Sequence, residues 1–319
     1  PGLRVTIIEK SDKLLSKVRI SGGGRCNLTR EETDIREMSQ GYPRGEHFVR
    51  KAFHQFFTTD TIHWFAERGV KIKKEDDGRM FPESNSSQTV IDCLLKEANR
   101  FGIQILMHAE AKAVESQNGR FVILLSGSRK VSGDFLCIAT GGYPKSSMFE
   151  WLRQTGHTIE TPVPSLFTFN LPKHPITKLM GISVERVTIR IKELQLEEEG
   201  PLLITHWGLS GPVVLRLSAW GAKALEEVNY TTGIKINWTP GYHENLMKEK
   251  LSGFRTLYSS QKVLNKNYFG LPARLWVYLC GEAGITEEMR WADLPAAAMN
   301  KLVKNLCSFE AGIKGKTTF

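Results

Sequence analysis

The sequence predicts an α/β domain followed by a second domain built from β-strands and helices. Three observations lead there. Leu3 to Glu9 is a β-branched run that ends in a carboxylate, the pattern of a strand covered on both faces. The string Ser21-Gly22-Gly23-Gly24-Arg25-Cys26-Asn27 follows within a dozen residues and reads as a loop whose backbone approaches a ligand closely. After about Pro162 the character changes, and Pro162, Pro164, Pro172 and Pro175 mark a linker.

Between these markers the elements follow in order. Residues 48–69 read as helix, with Asp60 as its N-cap and Gly69 as its stop. A second helix is predicted from Ser87 to Phe101. Val90, Leu94 and Ala98 share one face with Ile91 and Leu95, and Gly102 supplies a left-handed terminator. Ile103 to Met107 then reads as a strand. Ala111 to Leu125 carries Asn118-Gly119 between apolar stretches, a strong hairpin signal. Gly127 to Gly133 reads as a further turn, and Asp134 to Thr140 as a second buried strand running into Gly141-Gly142.

In the second half, Val184 to Leu196 and Pro201 to Thr205 alternate like antiparallel strands. Residues 243–306 return to a helical period, interrupted at Gly270-Leu271-Pro272 and Leu294-Pro295. The expected organisation is residues 1–162 as one domain, 163–303 as an inserted domain, and 304–319 as the start of a return to the first.

Composition narrows the function classes. The chain has 319 residues, 43 basic against 34 acidic, for a formal charge of +9. That charge favours anionic partners, but the basic residues are dispersed and no zinc-finger or RNA-binding aromatic string accompanies them. The expectation is a small-molecule substrate and no nucleic-acid partner. No apolar run reaches the ~20 residues of a membrane span and the first residues do not read as a signal peptide, so no membrane partner is expected and the compartment is read as cytoplasmic. Oligomeric state stays open. The five cysteines lack paired spacing, which speaks against a disulfide framework or a zinc site. Cys93 and Cys137 read as core residues, and Cys26, inside the glycine string, as the one to watch.

Two other strings fail as catalytic motifs. Gly208-Leu209-Ser210-Gly211-Pro212 ends in proline where a nucleophile elbow needs glycine, so His206 near Ser210 reads as structural. Gly315-Lys316-Thr317 lacks the earlier glycine of a phosphate loop, Glu310 standing in its place.

Glu9 ends its strand where a dinucleotide-binding fold places the carboxylate that receives a ribose. The string Lys17-x-x-x-Ser21 through Thr29 resembles the signature of a bacterial flavoprotein family containing aminoacetone oxidase-like proteins and bile-acid-type NAD(P)H-dependent reductases. Gly78-Arg79-Met80-Phe81-Pro82, Ala139-Thr140-Gly141-Gly142 and Thr205-His206-Trp207-Gly208-Leu209-Ser210-Gly211-Pro212 resemble three further strings of that family, in the same order. The resemblance implies an FAD/NAD(P)-binding Rossmann-like three-layer domain with an inserted β-barrel-like plus helical domain. It implies FAD as cofactor, with NAD(P)H as a candidate electron donor, and an oxidoreductase whose catalytic residues are not named. Glu9 and Lys10 would lie at the adenosine ribose, and Ala111 would meet the adenine. Lys17 and Ser21, Gly22, Gly23, Gly24, Arg25, Cys26 and Asn27 would lie along the FAD, with Thr140 and Gly141 on the pyrophosphate side.

One departure sets a further expectation. The family's first strand and its Gly-x-Gly-x-x-Gly turn have no counterpart here, nor does its closing glycine motif, so the Rossmann-like domain is expected to be incomplete. In the strand order 3-2-1-4 the first strand separates the strands ending at Glu9 and Thr140. Those two strands are expected to pair directly, to be loosened, or to accept a strand from another polypeptide. The chain then reads as a fragment or degenerate member with impaired cofactor binding. The alternative is a non-catalytic interaction protein with a partner segment in that position.

Overall fold

A computed structural model describes residues 2–143 and 145–318. The chain divides between Thr161 and Pro162 into two compact units.

In the first unit, β1 (Thr6–Ile8) leads to a helical span, α1 (Ser16–Gly24), and then to the short β2 (Thr29–Arg30). Three helices follow: α2 (Ile35–Gln40), α3 (Glu46–Phe53) and α4 (Thr58–Ala66). The predicted helix over 48–69 is therefore two helices. Asp60 lies inside the second, where its carboxylate accepts from the Phe57 amide at 2.7 Å and closes the helix start from the third position. Gly69, at φ +76, stops the chain as expected. Next come β3 (Ile72–Lys74), β4 (Arg79–Pro82) and α5 (Ser87–Arg100). The Ser86 hydroxyl caps α5 by accepting from the Gln88 amide, an arrangement worth about 1 kcal/mol. Gly102 ends it at φ +63. Strands β2, β4 and β3 form one antiparallel sheet.

β5 (Gln104–Leu106) runs parallel to β1, with Ile7 opposite Ile105. β6 (Ala111–Gln117) and β7 (Arg120–Leu125) form the hairpin. Asn118 and Gly119 take φ +53 and +75 at its tip, the doubly left-handed turn their pairing predicts. The chain turns again at Ser126–Ser128, so residues 130–133, expected to belong to a turn, form β8 (Lys130–Gly133) and make the meander three-stranded. A short α6 (Glu150–Arg153) closes the unit.

Two sequence expectations are corrected here. Leu3 to Glu9 contains a strand but not a buried one: Val5 and Ile7 are 47% and 42% exposed. Among the described residues β1 is hydrogen-bonded on one edge only, to β5. Asp134 to Thr140 forms no strand. Phe135 is 84% exposed and Cys137 is exposed, so Cys137 is no core residue. Only Leu136 turns inward, toward the cluster of Ala109, Ile123 and Leu125. The run has strand composition but, among the described residues, no neighbour to share a ladder with, and composition alone does not hold an isolated strand. The strands expected to flank the missing position do not close up and pair.

The second unit begins with β9 (Thr168–Asn170), β10 (Ser183–Ile191), β11 (Leu196–Ile204) and β12 (Gly208–Ser210). The helices α7 (Pro212–Trp220) and α8 (Ala222–Glu227) follow, then β13 (Thr231–Asn237). Helices α9 (Glu244–Leu257), α10 (Ala273–Glu282) and α11 (Ala296–Cys307) break at the predicted Gly-Leu-Pro and Leu-Pro strings. Residues expected to start a return to the first domain instead form β14 (Phe309–Lys314) and β15 (Lys316–Thr317) inside this unit. β14 pairs with β13 at one edge of a seven-stranded sheet, and β15 pairs with β9 at the other. Gly315 joins them, donating to the Tyr230 carbonyl and accepting from the Asn170 amide. The sheet thereby curls closed around a core that holds Phe169, Ile189, Leu202 and Ile236, with Trp238, Trp276 and Trp291 equally buried.

Candidate functional site

At the end of β1 the Glu9 side chain is fixed by its own loop. The Ser11 amide and hydroxyl both donate to Glu9 Oε1 at 2.8 Å. The Ser11 amide, then the Ser11 hydroxyl, hold the carboxyl below its ordinary range, so it is ionised at neutral pH. Its backbone accepts from the Ala109 amide, and Ala109 is buried two residues before Ala111 at the start of β6. The strand geometry thus brings Glu9, the exposed Lys10 and Ala111 to one edge. Glu9 Oε2 makes no hydrogen bond among the described residues.

The glycine-rich loop forms where α1 breaks. Ser21 is extended (φ −63°, ψ 149°), and Gly22 and Gly23 are left-handed. The Ser21 hydroxyl donates back to the Val18 carbonyl, and the Cys26 amide donates to the Ser21 carbonyl at 3.0 Å. Gly22 is required here on two counts. Its φ is +55°, and an added methyl would lie 2.8 Å from the Asn27 amide nitrogen and 2.9 Å from Phe81. Around Gly23 the space is open, with nothing within 4 Å of such a methyl. Asn27, which lies against Gly22, is exposed.

Cys26 is buried at φ +63° and packs with Val18, Leu28, Phe65, Val90 and Cys93. It anchors the loop to the unit's interior and offers no accessible thiol.

Sequence reading kept the loop and the Gly78-Arg79-Met80-Phe81-Pro82 string apart, but the fold joins them. The Leu28 amide donates to the Met80 carbonyl at 2.9 Å, and Thr29 pairs with Met80 across β2 and β4. The Arg25 guanidinium lies 4.0 Å from the centre of the Phe81 ring and is ion-paired with Glu75. Arg25 is thus committed within the protein, not a free cation awaiting an anion. Glu75 and Ser11 are the two participants that sequence reading missed. Ser11 sits two residues after the carboxylate, the spacing of a local side-chain turn. Glu75 is tied to Arg25 only by tertiary structure.

On the other side of α1, Lys17 reaches Gly141. A methyl on Gly141, which has φ +70°, would lie 2.6 Å from Lys17 Nζ. Lys17 is exposed and makes no ion pair among the described residues. The Thr140 hydroxyl donates only to its neighbour's carbonyl, at 3.4 Å. The Lys17 contact therefore brings the segment Ala139–Gly142 to the helix that carries the glycine loop.

The second unit holds no comparable cluster. Its cleft of about 440 Å³ includes Arg190, Lys235 and Glu310, which already neutralise one another or Glu197 across neighbouring strands. In the Thr205 to Pro212 string, Thr205 Oγ1 closes a turn with Gly208, and Trp207 Nε1 donates to Thr168. His206 is exposed against the Trp207 ring and Ser210 is buried, with no hydrogen bond between them. No group of three potential metal ligands occurs among the described residues. No helix there is long and apolar enough to cross a membrane.

A family model described as HI0933-like protein Rossmann domain matches residues 1–283. The 3-dehydro-bile acid delta(4,6)-reductase of Clostridium scindens is 29% identical over 232 residues, 70% of this chain and 56% of the reductase. The ribosomal RNA dihydrouridine synthase of Haemophilus influenzae is 27% identical over 317 residues, 95% of this chain and 74% of that protein. Its Escherichia coli namesake is 26% identical over 284 residues, 86% of this chain and 66% of that protein. The match to the reductase thus spans little more than half its length.

Proposed function

The chain belongs to the HI0933-like Rossmann-domain family, and from that premise we propose that it is an FAD-dependent oxidoreductase acting on a carbon–carbon double bond conjugated to a carbonyl. The names of the relatives support the reaction class. A 3-dehydro bile acid with double bonds at positions 4 and 6 is a conjugated ketone, and dihydrouridine is uridine with the double bond beside a ring carbonyl reduced. The observation that carries the flavin reading is the Lys17–Gly141 contact, which unites two strings separated by more than a hundred residues.

The residues present fit FAD in kind. Glu9 is ionised with one oxygen fixed and the other available to ribose hydroxyls. Lys10 and the Ala111 backbone flank that end. The open backbone at Gly23 admits close approach, and the unpaired Lys17 meets negative charge beside Thr140 and Gly141. The bound flavin supplies the electron chemistry, with NAD(P)H as the proposed donor. The chain's own part is to fix the adenosine through Glu9, neutralise phosphate charge through Lys17, and hold the glycine loop in one conformation.

The test is a visible absorption spectrum of the purified chain before and after excess FAD, followed by anaerobic NADH or NADPH. Retained flavin bands that bleach with nucleotide support the reading; a folded chain that retains no flavin sinks it. The carrier of the double bond is read by offering the reduced protein a free conjugated ketone and, separately, uridine-containing RNA. The small molecule is the expected substrate.

A second reading draws on one observation, the edge of β1 that is unpaired among the described residues, with Val5 and Ile7 exposed. Such an edge accepts an added strand, and a non-catalytic interaction protein would use it. Folded protein without flavin that takes up a β-strand peptide would favour this reading.

A further inference from the structure

We propose that Glu75 is a positioning residue for the glycine-rich loop. Glu75, in the turn between β3 and β4, and Phe81, on β4, hold the Arg25 side chain, and through it the left-handed turn at Gly22 and Gly23. The proposal deepens the flavin reading, on which its link to FAD rests, by assigning the loop's shape to residues that need not touch the cofactor.

Four observations support it. The loop has little scaffolding of its own: Ser21 departs from helical geometry and three consecutive glycines follow at positive φ, the most freely rotating backbone a chain can have. Something beyond the loop must therefore select its conformation. Arg25 is the side chain that leaves the loop toward β4, and it finds two partners there. Glu75 pairs with its guanidinium, and the buried Phe81 ring lies 4.0 Å beneath it. Phe81 also abuts Gly22 directly, so one ring contacts the loop at both its glycine and its arginine. Finally, Arg79 stands on the same assembly, 5.4 Å from the Phe81 ring and 3.5 Å from the second Glu75 oxygen. Glu75 is thereby held between two guanidiniums.

The arrangement has a chemical consequence for the ligand. With Arg25 neutralised by Glu75, the loop offers backbone amides and the Asn27 side chain, while Lys17, which makes no ion pair among the described residues, brings positive charge to Gly141. Freeing Arg25 would both loosen the loop and place a second mobile cation there. A planar, bidentate, ring-stacking group suits this role, and a lysine would not reproduce it.

The experiment is a double-mutant cycle of Glu75→Gln and Arg25→Gln, read by amide hydrogen exchange of residues 21–27 in the cofactor-free protein. Glu75→Gln is expected to speed exchange in the loop on the order of tenfold, the scale of one charge-assisted hydrogen bond. In the Arg25→Gln background the same substitution is expected to change nothing, because the two act through each other. Thermal midpoints measured alongside separate a local effect from general destabilisation. Unchanged loop exchange in Glu75→Gln, or an equal effect in both backgrounds, would overturn the proposal. A parallel FAD titration is expected to show weaker binding in Glu75→Gln than in the parent. Should the parent bind no FAD while the exchange cycle shows coupling, the flavin reading falls and the positioning role stands.

Discussion

Single residues decide how the candidate site responds to substitution and to pH. Gly22→Ala meets both a left-handed backbone and two close neighbours. We expect it to lower stability by ~1–3 kcal/mol, seen as a lower urea midpoint. Ser11→Ala keeps the Ser11 amide, the main group holding the Glu9 carboxyl down, and removes the hydroxyl that adds to it, so the Glu9 titration, followed by carboxyl NMR, is expected to move part of the way up. The depressed value means that this interaction stabilises the fold above the unfolded-state pKa and is lost as pH falls through the folded one. His174 acts in the same sense. Partial burial lowers its pKa below the ordinary 6.5, so stability declines as pH drops below 6.5 and the half-buried ring is charged. That limb of the stability–pH curve is expected to flatten in His174→Gln. Thiol reactivity gives a further readout: Cys137 is exposed, while Cys26, Cys93, Cys280 and Cys307 are buried, and burial raises the Cys307 thiol to about 11. One thiol is expected to react rapidly with a colorimetric disulfide reagent in the native protein, the rest only on unfolding.

Elements whose instructions are local were legible in the sequence; those that depend on distant partners were not. The hairpin at Asn118-Gly119 and the stop at Gly102 were readable because each requires a backbone conformation that few residues supply. The glycine loop was readable for the same reason, and its neighbours Lys17 and Gly141 by resemblance. The strand expected over Asp134–Thr140 failed because a strand is a property of a pair, and this one has no partner among the described residues. Glu75 was invisible because an ion pair to a residue fifty positions away leaves no spacing signal. The difference is measurable by hydrogen exchange. Amides of β7, flanked on both sides by β6 and β8, are expected to exchange far more slowly than those of residues 135–140. Gly119→Val, which forces a branched side chain into the left-handed turn, is expected to cost roughly 1–2 kcal/mol and to erase that protection.

At the scale of the whole molecule, the two units are built to unequal standards. The first has small separate cores around Cys26, Phe65 and Val90 and around Ala109, Ile123 and Leu125. The second has one continuous core with three tryptophans at 1% exposure or less. Buried apolar area is the main favourable contribution to folding, so urea is expected to unfold the first unit before the second. Far-ultraviolet circular dichroism should then show two transitions, with the main shift of tryptophan fluorescence confined to the later one, since Trp238, Trp276 and Trp291 all belong to the second unit. The stitch at Gly315 bears on how that unit is made. Thr168 and Thr317, whose strands close the sheet, are 149 residues apart, so β9 waits for β15 to be made before its outer edge is covered. Until then that edge is open to other nascent chains. A sheet without β15 would keep that edge of β9 uncovered, so a two-residue strand is what shields it from aggregation once paired.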